Sequence, residues 1–376
     1  MIAWLLISFF VLLFLGVPIA MSLGLSAMGG ILFLGGGSTV TIAQRMFEGM
    51  NSFALLAIPL YTFAGFTMSK GGISKRLMDF CYSIVGHIYG GLAHVNVLSS
   101  MIFAGISGSA VADTAGVSGM FMPEMVRKGY SKNFTVAVTA ISSTIGIIIP
   151  PSIPMVVIAG ICGISTGKLF LGGIIPGVLC GLAQMIVSYF MAKKEGVPKE
   201  PGHFTIGPVL HGLWESWPAL LMPIIIVGTI TMGIVSPTEA GVIAVVYGLF
   251  AGGIIYRELK WEDIKFAFAE TVRTSGRIFI VIGAAKLYTV MLTTAGFDKW
   301  VAKTMLGFST NPTVILIVIL LIFFIVTMFM ESIATLTLFM PILYPIALGV
   351  GINPIVLSVL ITVVIGVGLV LSLIHI

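Results

Sequence analysis

Residues 102–125 read IFAGISGSAVADTAGVSGMFMPEM, and residues 149–154 read IPPSIP. The first stretch has apolar ends, but its middle, 105–119, is crowded with Gly, Ser and Ala and holds a single carboxylate, Asp113. A Gly- and Ser-rich run leaves the helix readily. Backbone unwound at membrane depth is tolerated only where it is buried in protein or lines a wet cavity. The second stretch interrupts an apolar run, 133–163. Pro150 and Pro151 lack amide protons and push the residues before them out of the helical region. Together the stretches predict a re-entrant hairpin over 95–125 beside two half-helices that meet near the bilayer midplane. A simple proline kink is the alternative for the second.

The rest of the chain places these segments in a membrane. Hydrophobic residues fill 58% of 376 positions and charged residues only 9%, against roughly 25% charged in a soluble domain. Apolar runs recur at 2–34, 51–68, 133–163, 169–191, 218–235, 237–256, 278–294, 313–330 and 354–374. Each is long enough to cross a hydrocarbon core of about 30 Å as a helix. The first is too long for a signal peptide and has no basic n-region. The five tryptophans, Trp4, Trp214, Trp217, Trp261 and Trp300, fall near the ends of such runs, where interfacial anchors belong.

Net charge is +5, but the basic residues gather in loops, at Lys70, Lys75 and Arg76, at Arg127, Lys128 and Lys132, at Lys193, Lys194 and Lys199, and at Arg257, Lys260 and Lys265. Such clusters mark the cytoplasmic face, so the excess implies no nucleic-acid partner. Keeping all four inside requires an even number of crossings between them. Runs 133–163 and 169–191 supply one pair, and 218–235 with 237–256 another. Between Arg76 and Arg127 there is only an amphipathic stretch, 73–90, and the segment 95–125. A hairpin that enters and leaves on one side is the economical solution.

A second, thinner copy of the pattern lies at 313–348: an apolar run, Glu331, Met340-Pro341, then a turn at 349–354 and a new span. Its turn carries no Lys or Arg, so the two hairpins enter from opposite faces, as in an inverted repeat with a midplane site. The chain then divides into an N-terminal repeat, 1–192, an interfacial linker, 193–217, and a C-terminal repeat, 218–376.

Carboxylates inside a bilayer usually serve a site. Around Asp113 stand Ser107, Ser109 and Thr114, with the backbone of Gly108; around Glu331 stand Ser332, Thr335 and Thr337. Hard oxygens of this kind suit a small hard cation, and helix N-termini at the tips suit an anion. A small alkali cation is therefore expected near Ser107, Ser109 and Asp113, and at a second, thinner locus near Glu331, Ser332 and Thr335. Asp113 could instead cap its arm or carry a proton, and Glu331 could face a solvated loop. Ser236-Pro-Thr-Glu239 reads as a capping box with proline at the first helical position, and His87 and His94 as packing residues. Cys81, Cys162 and Cys180 show no metal or disulfide spacing.

Enzymatic readings fail. The glycine run 35–37 lacks the Lys and Ser/Thr of a phosphate loop. Residues 163–167, GISTG, match a nucleophile-elbow pattern but join two spans with no strand or partner residues. A channel would need a continuous polar stripe through several spans, and none is visible.

The run Gly105 to Gly116, Met122-Pro-Glu-Met125, Gly129-Tyr130, Ile149-Pro-Pro-Ser152 and Ser236 to Ala240 resembles the large membrane subunit of TRAP (tripartite ATP-independent periplasmic) transporters along essentially the whole chain. The resemblance implies an all-α polytopic membrane protein with elevator-type, inverted-repeat architecture in a bacterial inner membrane. It also implies sodium-coupled import of a carboxylate-bearing solute, a small four-helix membrane subunit, and a periplasmic binding protein that delivers the solute. No cofactor is implied beyond sodium as coupling ion, the cation at both loci. Ser107, Gly108, Ser109 and Asp113 then belong to the first hairpin tip, Thr144 to Ser152, with Pro150 and Pro151, to the broken helix facing it, and Glu331 to Thr337 to the second hairpin. The family's second Thr-Pro-Pro break has no counterpart in residues 366–376, GVGLVLSLIHI. The last helix is thus expected to be incomplete and the chain truncated. The alternatives are a stand-alone sodium- or proton-coupled anion transporter and an inactive remnant.

Overall fold

The computed structural model describes residues 1–34, 38–197 and 204–373. The 35–37 glycine run, Lys199 with the middle of the linker, and residues 374–376 lie outside the described residues. Helices, and no strands, make up the described secondary structure. Seven are long and apolar enough to cross a membrane: Phe53–Lys70, Thr166–Lys194, Ile206–Thr231, Pro237–Ile255, Trp261–Thr294, Ser332–Gly349 and Pro354–Leu371. The chain is an all-α, multi-pass membrane protein.

Three elements take a form that the sequence pattern leaves open. The 2–34 run is two helices, Ile2–Phe14 and Ile19–Leu34, separated at Gly16, whose φ of 80° only glycine adopts freely, and Pro18. An unbroken apolar run hides this turn because both its breakers are themselves apolar. The 105–119 segment does not unwind over its length. Helices Gly91–Ser107 and Ala110–Arg127 run up to Gly108 and Ser109, and only those two residues leave the helix. Gly116 beyond them serves close packing: a Cβ there would lie 3.2 Å from the Phe103 ring and 3.3 Å from the Ser69 hydroxyl. The 193–217 linker is partly helical, since Ile206–Thr231 starts well before the apolar run at 218.

The 133–163 run is interrupted at its prolines. Lys132–Ser143 passes into a single tight turn, Thr144–Ile147, then a non-helical stretch with a cis Pro150–Pro151 bond, then helix Ile153–Cys162. The capping box also forms: Ser236 N–H donates to Glu239 at 2.7 Å, and Glu239 N–H to the Ser236 hydroxyl at 3.3 Å. His94 is buried and bonds the Tyr89 carbonyl at 3.2 Å, as a packing residue would. All five tryptophans are exposed at the protein surface.

The helices sort into two compact units. One comprises Met1–Leu56, Val156–Ser165 and Thr274–Ser372, around a core of Leu5, Phe9, Leu23, Tyr288 and Leu338. The other comprises Ala57–Met155 and Thr166–Arg273, around Val95, Phe121, Met125, Phe134 and Ile145. Each draws on residues from both sides of the linker.

In the second unit, helix Thr166–Lys194 presents Gly173, Gly177 and Gly181, four residues apart and so on one face. They meet Ile148 and Met155, Ile149, and Met101 respectively. Small residues at this spacing let helices in lipid approach closely. A Cβ on Gly173 would lie 2.8 Å from the Ile148 carbonyl, which is backbone and cannot swing aside. Gly173→Val should therefore destabilise the protein by about 1–3 kcal/mol. Gly228→Ala, with nothing within 4 Å of the added Cβ, should leave stability unchanged or raise it. Size-exclusion profiles after heating would separate the two, and equal loss in both variants would remove the packing role of Gly173.

Candidate functional site

The first predicted group is assembled by the tip of the Gly91–Ser107/Ala110–Arg127 hairpin and the break between Lys132–Ser143 and Ile153–Cys162, within the second unit. Gly108 turns the tip at φ 62°, and its carbonyl accepts the Ile153 N–H at 3.0 Å. Ile153 needs that partner because the residues before it have left the helix and offer no intrahelical carbonyl. A Cβ at Gly108 would come 2.5 Å from the Pro151 carbonyl oxygen, and one at Gly146 would come 3.2 Å from the Ser109 carbonyl. Glycine on each side is what lets two backbones meet at this distance.

Polar side chains of the group follow local rules. Ser109 caps the returning arm, accepting from Ala112 N–H at 3.4 Å. Ser107 is fully buried, its hydroxyl 3.5 Å from both the amide nitrogen and the carbonyl oxygen of Ser109. Thr114 and Thr144 bond back to their own helices, at Ala110 and Ile141. Ser152 donates to the Ile147 carbonyl and accepts from Met155 N–H at 3.3 Å, closing the break and starting the next half-helix.

Asp113 is the exception. It is 0% exposed and neither carboxylate oxygen has a hydrogen-bond partner. The Ser100 hydroxyl, the polar group that bears most on it, is turned to Ser142 at 3.2 Å. A buried carboxylate without donors is costly by several kcal/mol unless a proton or a cation neutralises it.

The second predicted group lies in the other unit, between helices Pro312–Thr327 and Ser332–Gly349. Glu331 caps the latter: its carboxylate accepts from Ile333 N–H at 2.9 Å, Ala334 N–H at 3.3 Å and the Ser332 hydroxyl at 2.7 Å. The capping role that the sequence left open for Asp113 thus falls to Ser109 and Glu331. Thr335 and Thr337 donate to carbonyls one turn back, at Glu331 and Ile333. Among the described residues no three His, Cys, Asp or Glu side chains gather as a metal centre.

Sequence reasoning missed a buried network that fastens the hairpin to the broken helix. Asn96 donates to Thr139 at 2.8 Å and accepts from Ser142 at 3.1 Å, and Ser142 in turn accepts from Ser100 at 3.2 Å. The signal was available: Asn96 and Ser100 are one turn apart, and Thr135, Thr139 and Ser142 repeat at helical spacing on the facing helix.

If the Gly108–Ile153 contact holds the tip, Gly108→Ala should free it, since alanine meets both the left-handed φ and the Pro151 carbonyl. Amide exchange at Ile153 should then quicken by about tenfold for each 1.4 kcal/mol lost. Unchanged protection would show that the tip does not depend on that bond.

Comparison with known proteins extends the pattern to the whole chain. Residues 6–371 match the family model described as "Tripartite ATP-independent periplasmic transporter, DctM component". The chain is 36% identical over 344 residues to the sialic acid TRAP transporter large permease protein of Vibrio cholerae, covering 92% of this chain and 80% of that one. It is 37% identical over 349 residues to the C4-dicarboxylate TRAP transporter large permease protein of Pseudomonas aeruginosa, covering 93% and 82%. It is also 37% identical over 362 residues to the isethionate TRAP transporter permease protein of Oleidesulfovibrio alaskensis, covering 96% of this chain but 57% of that longer protein. These relatives are permeases rather than enzymes.

Proposed function

We propose that this chain, which belongs to the DctM component family of tripartite ATP-independent periplasmic transporters, is the large membrane subunit of a sodium-coupled system that imports a small organic anion. Sialic acid, C4-dicarboxylates and isethionate, the solutes named for three relatives, are all organic anions, and the same class is proposed here. A small four-helix membrane subunit, a periplasmic binding protein that delivers the solute, a bacterial inner-membrane location and an elevator-type transport step belong to the same proposal.

The observation that carries sodium coupling is the state of Asp113. A carboxylate buried with both oxygens unpaired needs a positive partner. Ser107 and Ser109 supply further oxygens beside it in the chain, and oxygen shells are what hard cations take. These three residues are the proposed first sodium locus. At the proposed second locus, Glu331 retains acceptor capacity, since a carboxylate has about four lone-pair sites and its cap uses three hydrogen bonds. Ser332 and Thr335 complete it. The N-terminal ends of helices Ala110–Arg127 and Ser332–Gly349 add partial positive charge for the solute. Each positive charge carried inward contributes about 2.3 kcal/mol per 100 mV, so more sodium charge than solute charge must enter for the potential to assist.

Proteoliposomes holding both membrane subunits, with the binding protein outside, test the reading. An inward sodium gradient should drive accumulation of the anion that the binding protein carries, and Asp113→Asn should raise the half-saturating sodium concentration by about tenfold or more. Sodium dependence unchanged in that variant would take Asp113 out of the mechanism. Uptake that persists without the binding protein would favour the stand-alone transporter.

A further inference from the structure

Helix Trp261–Thr294 carries one charged side chain within its apolar run 278–294, Lys286. An ionisable residue at such a position marks a functional site by default. Lys286 lines a cavity of about 260 Å³ lying wholly within the first unit, together with Glu48, Gly49, Ser52, Thr337 and Pro341. A single water needs only about 10–15 Å³ on that measure, so the space admits a small organic ion.

The charge in this cavity is not balanced. Among the described residues no carboxylate lies within 4.0 Å of the Lys286 ammonium. Glu48, the acid at the cavity, is engaged by Arg45 at 2.7 Å. Arg45, and Lys286 after it, hold the Glu48 carboxyl below its usual range. Two cations against one acid leave one positive charge facing the cavity.

Packing fixes where that charge sits. A Cβ on Gly49 would come 2.6 Å from Lys286 Cβ and 2.9 Å from its Cγ, so the lysine stem lies flat on the glycine. One turn earlier, a Cβ on Gly283 would come 3.2 Å from the Met46 carbonyl and 3.3 Å from Met50 Sδ. The helices Thr39–Met50 and Trp261–Thr294 thus meet at two glycines, and the clamped stem leaves only the end of the side chain free to move. Beside it, the Ser52 hydroxyl makes no hydrogen bond within the described protein and is free to donate. Thr337 donates to Ile333 at 2.8 Å, so it serves as wall and not as donor.

We propose that this cavity is an anion subsite in which the Lys286 ammonium and the Ser52 hydroxyl take the acidic head group, carboxylate or sulfonate, of the transported solute. This rests on the organic-anion reading above and adds a residue to it outside both hairpin tips.

Two measurements on the complete complex test it. In the first, Lys286 is acetylated with N-hydroxysuccinimidyl acetate and quantified by mass spectrometry, with exposed Lys299 as internal reference. Succinate, isethionate and sialic acid serve as probes and glucose as the neutral control. At least one anion should slow acetylation of Lys286 by about tenfold relative to Lys299, and glucose should not. Protection by none of the three overturns the proposal. In the second, uptake of the same anions is compared in wild type, Lys286→Gln and Lys286→Arg. The glutamine variant should raise KM by about tenfold or more while arginine restores it to within about threefold. Wild-type accumulation with an unchanged KM in Lys286→Gln removes the subsite and leaves the transport reading standing. Protection of Lys286 in a complex that accumulates none of the anions does the reverse.

Discussion

A backbone amide that is buried where the chain leaves the helix must find its hydrogen bond inside the protein, and the bond from the buried Ile153 N–H to the Gly108 carbonyl is where this protein meets that constraint. Two adjacent prolines end one half-helix, and the next must begin with an amide that has no carbonyl four residues back. The hairpin tip supplies it. Much of the second unit is arranged around that contact. Gly108 and Gly146 thin the backbone where tip and break meet, Ser152 ties the break to Ile147, and Gly173 and Gly177 let a long span lie against Ile148 and Ile149. The network of Asn96, Ser100, Thr139 and Ser142 holds the same two elements together further along their length.

Three charged side chains show how differently one protein can treat charge. Glu331 is satisfied by the end of its own helix, where backbone N–H groups and the helix dipole favour an anion. Asp113 has no such provision, although it lies in the first turn of a helix that Ser109 already caps. Lys286 is held at its stem by Gly49 and closes no ion pair at its tip, where it shares Glu48 with Arg45. A satisfied carboxylate is consistent with structure alone. An unsatisfied one beside hydroxyls, and an unpaired ammonium beside a cavity, leave a deficit that an ion of opposite sign can fill. The proposed reading assigns sodium to the first and the solute's acidic group to the second.

Some of this is legible in the sequence. The interruption at the double proline and the capping box at Ser236 follow from rules with a range of a few residues, and the structure has both. What the pattern leaves open shares a cause. Composition alone does not say whether glycine is present to unwind a helix or to admit a neighbour. Gly116 belongs by composition to the Gly-rich tip but lies against Phe103 and Ser69. The 2–34 run looked continuous because a turn made of Gly16, Val17 and Pro18 contains no polar residue. Lys286 leaves little mark on the hydropathy pattern because the apolar run 278–294 averages one lysine away.

The sequence by itself determined the solvent, the helical class, the break at the double proline and the family, since these depend on apolar run length, proline, cap chemistry and motif order, all local along the chain. Only the tertiary structure decided that Asp113 lacks a donor while Glu331 has three, that Gly108 answers Ile153, and that Lys286 borders a cavity with Ser52. Hydrogen-bond satisfaction and unbalanced charge are properties of what packs alongside, and residues as far apart as Ser52 and Lys286 become neighbours only once the helices have packed.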